Sequence, residues 1–480
     1  MTTASLWHPA DHPLETVTDP LPTDRVDDLV VGAGITGLTT ALLLARAGRR
    51  VAVVEAHAIG ESTTGRTTGK VSLLQGITLS RMAKLHGRQV MESYVVANTE
   101  GQAWLRRFCA DHDVRCDVRD GVTYASSSDD LPTVREEHDV AARLGLPVRW
   151  TDDVDLPFPT PGATVLADQA QVDPQSLLLA LAEQVRSHGG TITTGRRVVH
   201  VPWSSAGATL DDGTQVRSRT VTLATGAPIV DRALHFARLT PERSYIAAWR
   251  WQGDDLPMAI SPAPYGSVRD ATTTDGGRLV LVGGGSHPVG RQAPTSDRAR
   301  DLRRWAEQHL GVEGAPIAEW SAQDYTTHDR VPSVGRLPRP ADAYVATGFA
   351  KWGMTNGVAA ARSLSARILG APVAWDLPER RRATGPRAAG RLVKQNAEVG
   401  VQMATGWARA TRPSEGREAL HHDAPDGECR VVGVCTHLGG MLRWNDLEKT
   451  WDCPLHGSRF SPDGEVLDGP ATRPLRRSPR

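Results

Sequence analysis

The stretch "CTHLGGMLRWNDLEKTWDCPLHGSRF", Cys435 to Phe460, carries two short pairs of metal-ligating residues. Cys435 and His437 form a C-x-H pair, Cys453 and His456 form a C-x2-H pair, and 15 residues separate His437 from Cys453. Two thiolates and two imidazoles can hold zinc, or a [2Fe–2S] cluster in which histidines replace cysteines on one iron. Zinc-finger spacing groups the cysteines together and the histidines together. Here each pair supplies one of each, so two facing loops can present both sulfurs to one iron and both imidazoles to the other.

A second chemical signal lies near the other end. "DDLVVGAGITGLTTALLLARAGRRVAVVEA", residues 27–56, reads as strand, glycine turn, helix and second strand. Asp28 to Val31 and Val51 to Val54 are predicted as short buried strands, and Leu38 to Ala47 as a helix stopped by Gly48. Gly32 permits the tight turn. Gly34 lets a pyrophosphate approach the helix N-terminus, where free N–H groups favour an anion, and Gly37 allows close helix–strand packing. Glu55 ends the second strand, 23 positions after Gly32, where a carboxylate can accept hydrogen bonds from a ribose diol. This fingerprint does not choose FAD from NAD, but Glu55 argues against a 2′-phosphate and hence against NADP.

Four segments together resemble flavoproteins of the D-amino-acid oxidase and glycine oxidase type. They are the fingerprint, "GESTTGRTTGKVS" (Gly60–Ser72), "VTLATGAP" (Val221–Pro228) and "AYVATGFAKWGMTNGVAAARSLSARILG" (Ala343–Gly370). The resemblance implies FAD. It implies a Rossmann-like α/β cofactor domain, about residues 27–74, 162–233 and 324–372, interleaved with a β-rich substrate domain of α+β class, about 75–161 and 234–323. Thr67 and Thr68 suit ribityl and ring-edge hydrogen bonds, and Arg66 can balance charge on a reduced flavin. Thr225 and Gly226 form the turn after the third segment's strand. Gly348, Gly353, Met354 and Thr355 lie where relatives place a turn and helix over the flavin ring. Val198 best matches a valine whose backbone meets the adenine. Neither Cys109 nor Cys116 falls in a matching segment, so no covalent thioether is expected.

"CTHLGG", "CPLHGSRF" and "GPA" (Gly469–Ala471) resemble a Rieske domain, which implies a [2Fe–2S] cluster on Cys435, His437, Cys453 and His456. High-potential relatives tie the two loops with a disulfide; Gly440 and Leu455 stand there instead. Phe460 replaces a tyrosine that donates to a ligand sulfur, while Ser458, able to bond a bridging sulfide, is kept. Fewer donors stabilise the reduced state less, which places the expected potential in the lower half of the roughly −150 to +300 mV Rieske range. About twenty residues precede Cys435, so this small all-β domain, residues 414–480, has a shortened base that leans on its surroundings.

The rest of the chain must position these groups. Its 480 residues suggest several units. Lys+Arg and Asp+Glu are both 55, which argues against nucleic acid as a partner. Five cysteines make no disulfide framework, and no apolar run reaches a membrane span. Residues 1–26 read as a flexible polar leader without an export signal, so a cytoplasmic location is expected. Residues 377–413 read as a linker, then an amphipathic helix that packs one domain on the other.

A flavin accepts two electrons as hydride, and such a cluster passes one at a time. The leading expectation is a dehydrogenase acting on an amine or amino acid and relaying electrons to an acceptor such as a ferredoxin or quinone. Two alternatives stay open: a reductase or monooxygenase with electrons running from cluster to flavin, and a flavoenzyme whose cluster domain is structural or redox-sensing. Arg243, Tyr245, Arg250, Arg269 and His328 are candidates for a carboxylate clamp, and Lys351 and Thr355 for facing the substrate. No catalytic base is identified.

Overall fold

Short apolar runs mark strands buried on both faces, and Val51–Val54 (VAVV) and Asp28–Val31 (DLVV) are fully covered. They pair in parallel, Asp28 opposite Val51, and Asp28–Val31 pairs on its other side with Thr220–Leu223. The structure, a computed structural model, describes residues 5–8, 18–203, 206–230, 232–273, 276–291, 294–338, 342–373, 385–410, 421–423 and 429–479. The six-stranded sheet runs Ser333–Arg336, Ala343–Thr347, Thr220–Leu223, Asp28–Val31, Val51–Val54, Thr191–Thr193. Only its first strand is antiparallel to its neighbour. Helices Ile35–Arg46, Pro174–Ser187 and Gly353–Leu369 cover it. Leu38, Leu42, Leu44, Val53, Leu177 and Val358 share one core, each fully buried leucine or valine contributing about 1.5–3 kcal/mol.

A nine-stranded sheet forms the second layer, with Ala318–Thr327, Leu239–Arg250, Arg278–Pro288 and Tyr265–Thr272 as consecutive antiparallel neighbours. Two expectations are corrected here. Residues 75–161 are mainly helical, with Thr78–Ala83, Arg88–Asp111 and Leu131–Arg143 outweighing the strands Cys116–Tyr124 and Arg149–Thr151. The strands Lys70–Val71 and Ala163–Val172, placed by sequence in the cofactor domain, belong to this sheet. Alternating apolar patterning identifies a strand but not the sheet that receives it.

The described residues of the leader, 5–8 and 18–26, are more anchored than its polarity suggests. Ser5 Oγ donates to the Gly65 carbonyl and the Trp7 indole to Thr67, both at 2.8 Å, and Asp19 pairs with Arg186. The predicted helix is observed as Pro386–Ala410, whereas residues 377–384 and 411–413 of the expected linker lie outside the described residues. Gln395 and Asn396 of this helix bond carbonyls of Leu239 and Ala237; Gln402 accepts from Arg443, and Trp407 donates to Gly439. The helix therefore joins the flavoprotein-like body to the last domain. That domain has a three-stranded sheet, His421–Asp423, Cys429–Val432 and Arg477–Pro479. Its four-stranded sheet is Arg443–Asn445, Thr450–Asp452, Arg459–Phe460 and Val466–Asp468. No described helix is long and apolar enough to cross a membrane.

Candidate cofactor sites

A cavity of about 690 Å3 starts at residues just past three parallel strands (Gly32, Glu55, Thr225) and runs under the second sheet. At its glycine end, Gly32 has φ +105°, and a Cβ there would lie 2.5 Å from the Ala224 carbonyl oxygen. A Cβ on Gly37 would lie 1.9 Å from the Gly32 oxygen, so helix and turn touch backbone to backbone. Gly34 caps the helix Ile35–Arg46, the Ile35 N–H donates to Thr64 Oγ1 at 3.3 Å, and Gly34, Ile35 and Thr36 line the cavity at the positive end of the helix dipole. Glu55 is buried and accepts from the N–H groups of Ala33 at 2.7 Å and His57 at 3.0 Å. A phosphate-bearing dinucleotide fits this end.

Arg66, Thr67, Thr68, Val198, Thr225, Gly226, Gly353 and Met354 line the same cavity. Gly37 and Gly348 support it from behind. The turn before Gly353 is tightly wound: Gly348, Ala350 and Lys351 have φ of 80°, 51° and 74°. Left-handed non-glycine residues cost about 1–3 kcal/mol each and persist only when their surroundings hold them. Asp324 does this, accepting from the backbone N–H groups of Tyr325 at 2.7 Å and Lys351. Burial pushes the Asp324 carboxyl up to about 6 despite these bonds.

Tyr245 and Lys351 line the cavity; the Tyr245 hydroxyl bonds His287 at 3.0 Å, and Lys351 reaches Ser286. Thr355 does not line it. It lies below in a closed network: Tyr94 donates to Gln75 at 2.5 Å, Gln75 to Thr355 at 3.1 Å, and Thr355 to Asn98 at 2.6 Å. This network positions Gln75, which does reach the cavity. His328 is buried off the cavity, with its N–H on the Arg238 carbonyl. Arg250 is exposed at a strand end, and Arg269 is buried against the carbonyls of Thr68 and Val172. Arg243 faces the last domain. Sequence reasoning missed Lys70, Arg81, Arg298 and Arg330, all lining the cavity. Lys70 Nζ bonds the Ala259 carbonyl at 2.6 Å and Ser267 at 2.9 Å, and burial pushes its pKa well down. Isolated basic residues outside any motif carry no signal that separates them from solvated ones.

In the last domain, Cys435, Cys453 and His456 are buried, and His437 is half-buried. The two thiols pair with each other. Cys453 draws Cys435 down to about 7, helped by N–H groups of His437 and Leu438 and by Ser458. The two imidazoles pair edge to face, centroids 5.3 Å apart, and Phe236 meets them at 5.7 and 5.1 Å. Among the described residues no three His, Cys, Asp or Glu gather as around one ion. Sulfurs on one side and imidazoles on the other suit two irons rather than one. Gly440 belongs to this packing, since a Cβ there would lie 2.6 Å from Leu455 and 3.1 Å from the Cys453 sulfur. Phe460 is fully buried in the same core, and Ser458 Oγ accepts from the Ala471 N–H at 3.0 Å.

The two bodies meet through buried charge and bare backbone. Arg243 donates to Glu448 at 2.6 Å; Arg459 pairs with Glu448 at 2.9 Å, Asp452 at 3.2 Å and Asp468 at 2.9 Å. Burial alone would raise the Glu448 carboxyl, but Arg243 and Arg459 hold it down to about 2. A Cβ on Gly290 would lie 2.9 Å from Pro454 N, and one on Gly457 would lie 2.4 Å from Pro241. The domain expected to lean on its surroundings does so, on both the flavoprotein-like body and the joining helix.

The family model for FAD dependent oxidoreductase (DAO) matches residues 27–367, and that for the Rieske [2Fe-2S] domain matches residues 407–479. The Rieske 2Fe-2S iron-sulfur protein YhfW of Bacillus subtilis (strain 168) is 30% identical over 475 residues, covering 94% of this chain and 92% of that protein. Gamma-glutamylputrescine oxidoreductase of Escherichia coli (strain K12) is 24% identical over 359 residues, covering 72% and 84%. The crystal structure of L-proline dehydrogenase from P. horikoshii superposes with a TM-score of 0.62 at 17% identity, covering 74% of this chain and 96% of that one. The glycine turn, the long cavity and the paired thiols and imidazoles thus have one account: the chain belongs to the FAD dependent oxidoreductases, binds FAD, and carries at residues 407–479 a Rieske domain that binds a [2Fe–2S] cluster.

Proposed function

We propose that the chain is a dehydrogenase that oxidises an amine or amino acid and passes the electrons singly to an external acceptor such as a ferredoxin or quinone. FAD supplies hydride acceptance and the cluster supplies one-electron transfer. The observation that carries this reading is the docking of the ligand loops on the cavity wall. Gln323 Nε2 bonds the carbonyl of Gly457, next to His456, at 2.8 Å. It also bonds the hydroxyl of Tyr325, a cavity residue, at 2.8 Å. A module that only braced the fold would not need its metal ligands at this wall.

The protein's own groups have defined tasks in this reading. The glycine turn and Arg66 hold the dinucleotide, and Asp324 fixes the wound turn over the cavity. Arg81, Arg298, Arg330, Lys351 and Tyr245 offer donors to a substrate carboxylate. The names of gamma-glutamylputrescine oxidoreductase and L-proline dehydrogenase support a nitrogen-bearing donor. An anaerobic screen of amines and amino acids by visible spectrum tests it. A donor that bleaches flavin and cluster absorption together is the expected result. Flavin bleaching with a silent cluster, and full turnover after Cys435→Ser, would leave the cluster outside the reaction.

A further inference from the structure

The wall of the dinucleotide cavity is not made by the flavoprotein body alone. Leu467, Asp468 and Gly469 of the iron–sulfur domain line it beside Glu55, Arg66, Arg197 and Val198. Backbone carbonyls of this segment hold cavity residues in place. Arg197 donates to the Val466 carbonyl at 2.8 Å, and in the tautomer that carries its proton on Nε2 His57 donates to the Leu467 carbonyl at 3.0 Å. His57 in turn donates its backbone N–H to Glu55, whose other oxygen takes the Ala33 N–H of the glycine turn. A chain of hydrogen bonds therefore runs from the glycine turn through Glu55 and His57 to the iron–sulfur domain. Tyr325 donates to the Gly469 carbonyl at 3.1 Å, and Thr472 donates to the Val199 carbonyl at 3.4 Å. Asp468 is half-buried and paired with Arg459 at 2.9 Å, so this edge is held from behind.

The structure assigns residues 466–469 of the iron–sulfur domain a second role, as part of the FAD site, so that FAD binding and domain docking are linked. None of these residues is one of the four cluster ligands. Linkage is reciprocal: the factor by which docking tightens FAD is the factor by which FAD tightens docking.

Hydrogen–deuterium exchange on the full-length, cluster-replete protein, stripped of FAD and then reloaded, tests this without any substitution. Reloading is expected to slow exchange at residues 464–470 at least fivefold, in parallel with residues 32–37. Protection of residues 32–37 with exchange unchanged at 464–470 would overturn the assignment. Glu448→Gln loosens docking at a point outside the cavity and gives a second reading. Its Kd for FAD, by flavin fluorescence titration, is expected to rise at least tenfold with the cluster's EPR spin count unchanged. A Kd within twofold of wild type, with faster exchange at 464–470 showing that docking is loosened, also overturns it.

Discussion

Gln323 Nε2 lies 2.8 Å from the Gly457 carbonyl oxygen, a contact between the cavity-lining strand and the residue after a cluster ligand. Gln323→Leu keeps the volume but removes the donor. A buried carbonyl and the Tyr325 hydroxyl then lose a partner, at a cost of about 1–3 kcal/mol, read by urea unfolding. If the relay crosses here, reduced protein mixed with a one-electron acceptor also discharges more slowly than wild type. Equal discharge rates with the lost stability would confine Gln323 to docking.

Glu448 makes docking acid-sensitive. Its carboxyl is held at about 2 in the folded protein, against 4.5 as the ordinary value. The folded state then binds fewer protons, so this contribution is full above about pH 4.5 and is lost as pH falls toward 2. Unfolding stability measured at pH 6 and pH 3.5 should fall for wild type by more than for Glu448→Gln, which starts lower because Arg243 and Arg459 lose their shared partner.

Gly440→Ala should lose cluster without losing FAD. The new methyl meets Leu455 at 2.6 Å and the Cys453 sulfur at 3.1 Å, within the ligand loops alone. Iron content and EPR amplitude per protein should drop severalfold while flavin absorbance stays. Gly37→Ala should do the reverse, since its methyl meets the Gly32 carbonyl oxygen at 1.9 Å.

Phe460→Tyr adds a donor to the core that holds both ligand thiols. A hydroxyl reaching a ligand sulfur stabilises the more negative reduced state. Redox titration should place the wild-type midpoint in the lower half of the roughly −150 to +300 mV range, with the variant higher. A wild-type midpoint well above roughly +200 mV would count against the reading of this loop.

Arg330 lines the cavity with its Nε unpartnered, and burial and two neighbouring guanidiniums, Arg391 and Arg81, lower its pKa to about 10. An anion would relieve both costs. Arg330→Met should raise KM at least tenfold for a carboxylate-bearing donor and change it little for an amine without a carboxylate.

The cofactor-bearing segments were legible because their physics is local. Gly32, Gly34, Gly37 and Glu55 sit within one strand–helix–strand unit, and Cys435, His437, Cys453 and His456 within two short loops. The seam was not. Arg243 drew attention as a substrate clamp because a basic residue on a strand of the substrate sheet looks free in sequence. Its partner Glu448 is 205 positions away. Thr355 likewise follows the last glycine turn, yet its hydroxyl turns to Gln75 and Asn98, a choice set by the helix Arg88–Asp111 packing beneath it. Helices in residues 75–161 were overlooked because the resemblance pointed to a sheet-forming lobe.

The bare-backbone contacts at Gly290 and Gly457 have a consequence for tinkering with this protein. A ferrosulfur module borrowed from another chain cannot simply be grafted on in place of the native one. The recipient surface is cut to this particular guest, glycine against proline on both sides of the join, so the host residues would have to be exchanged along with it.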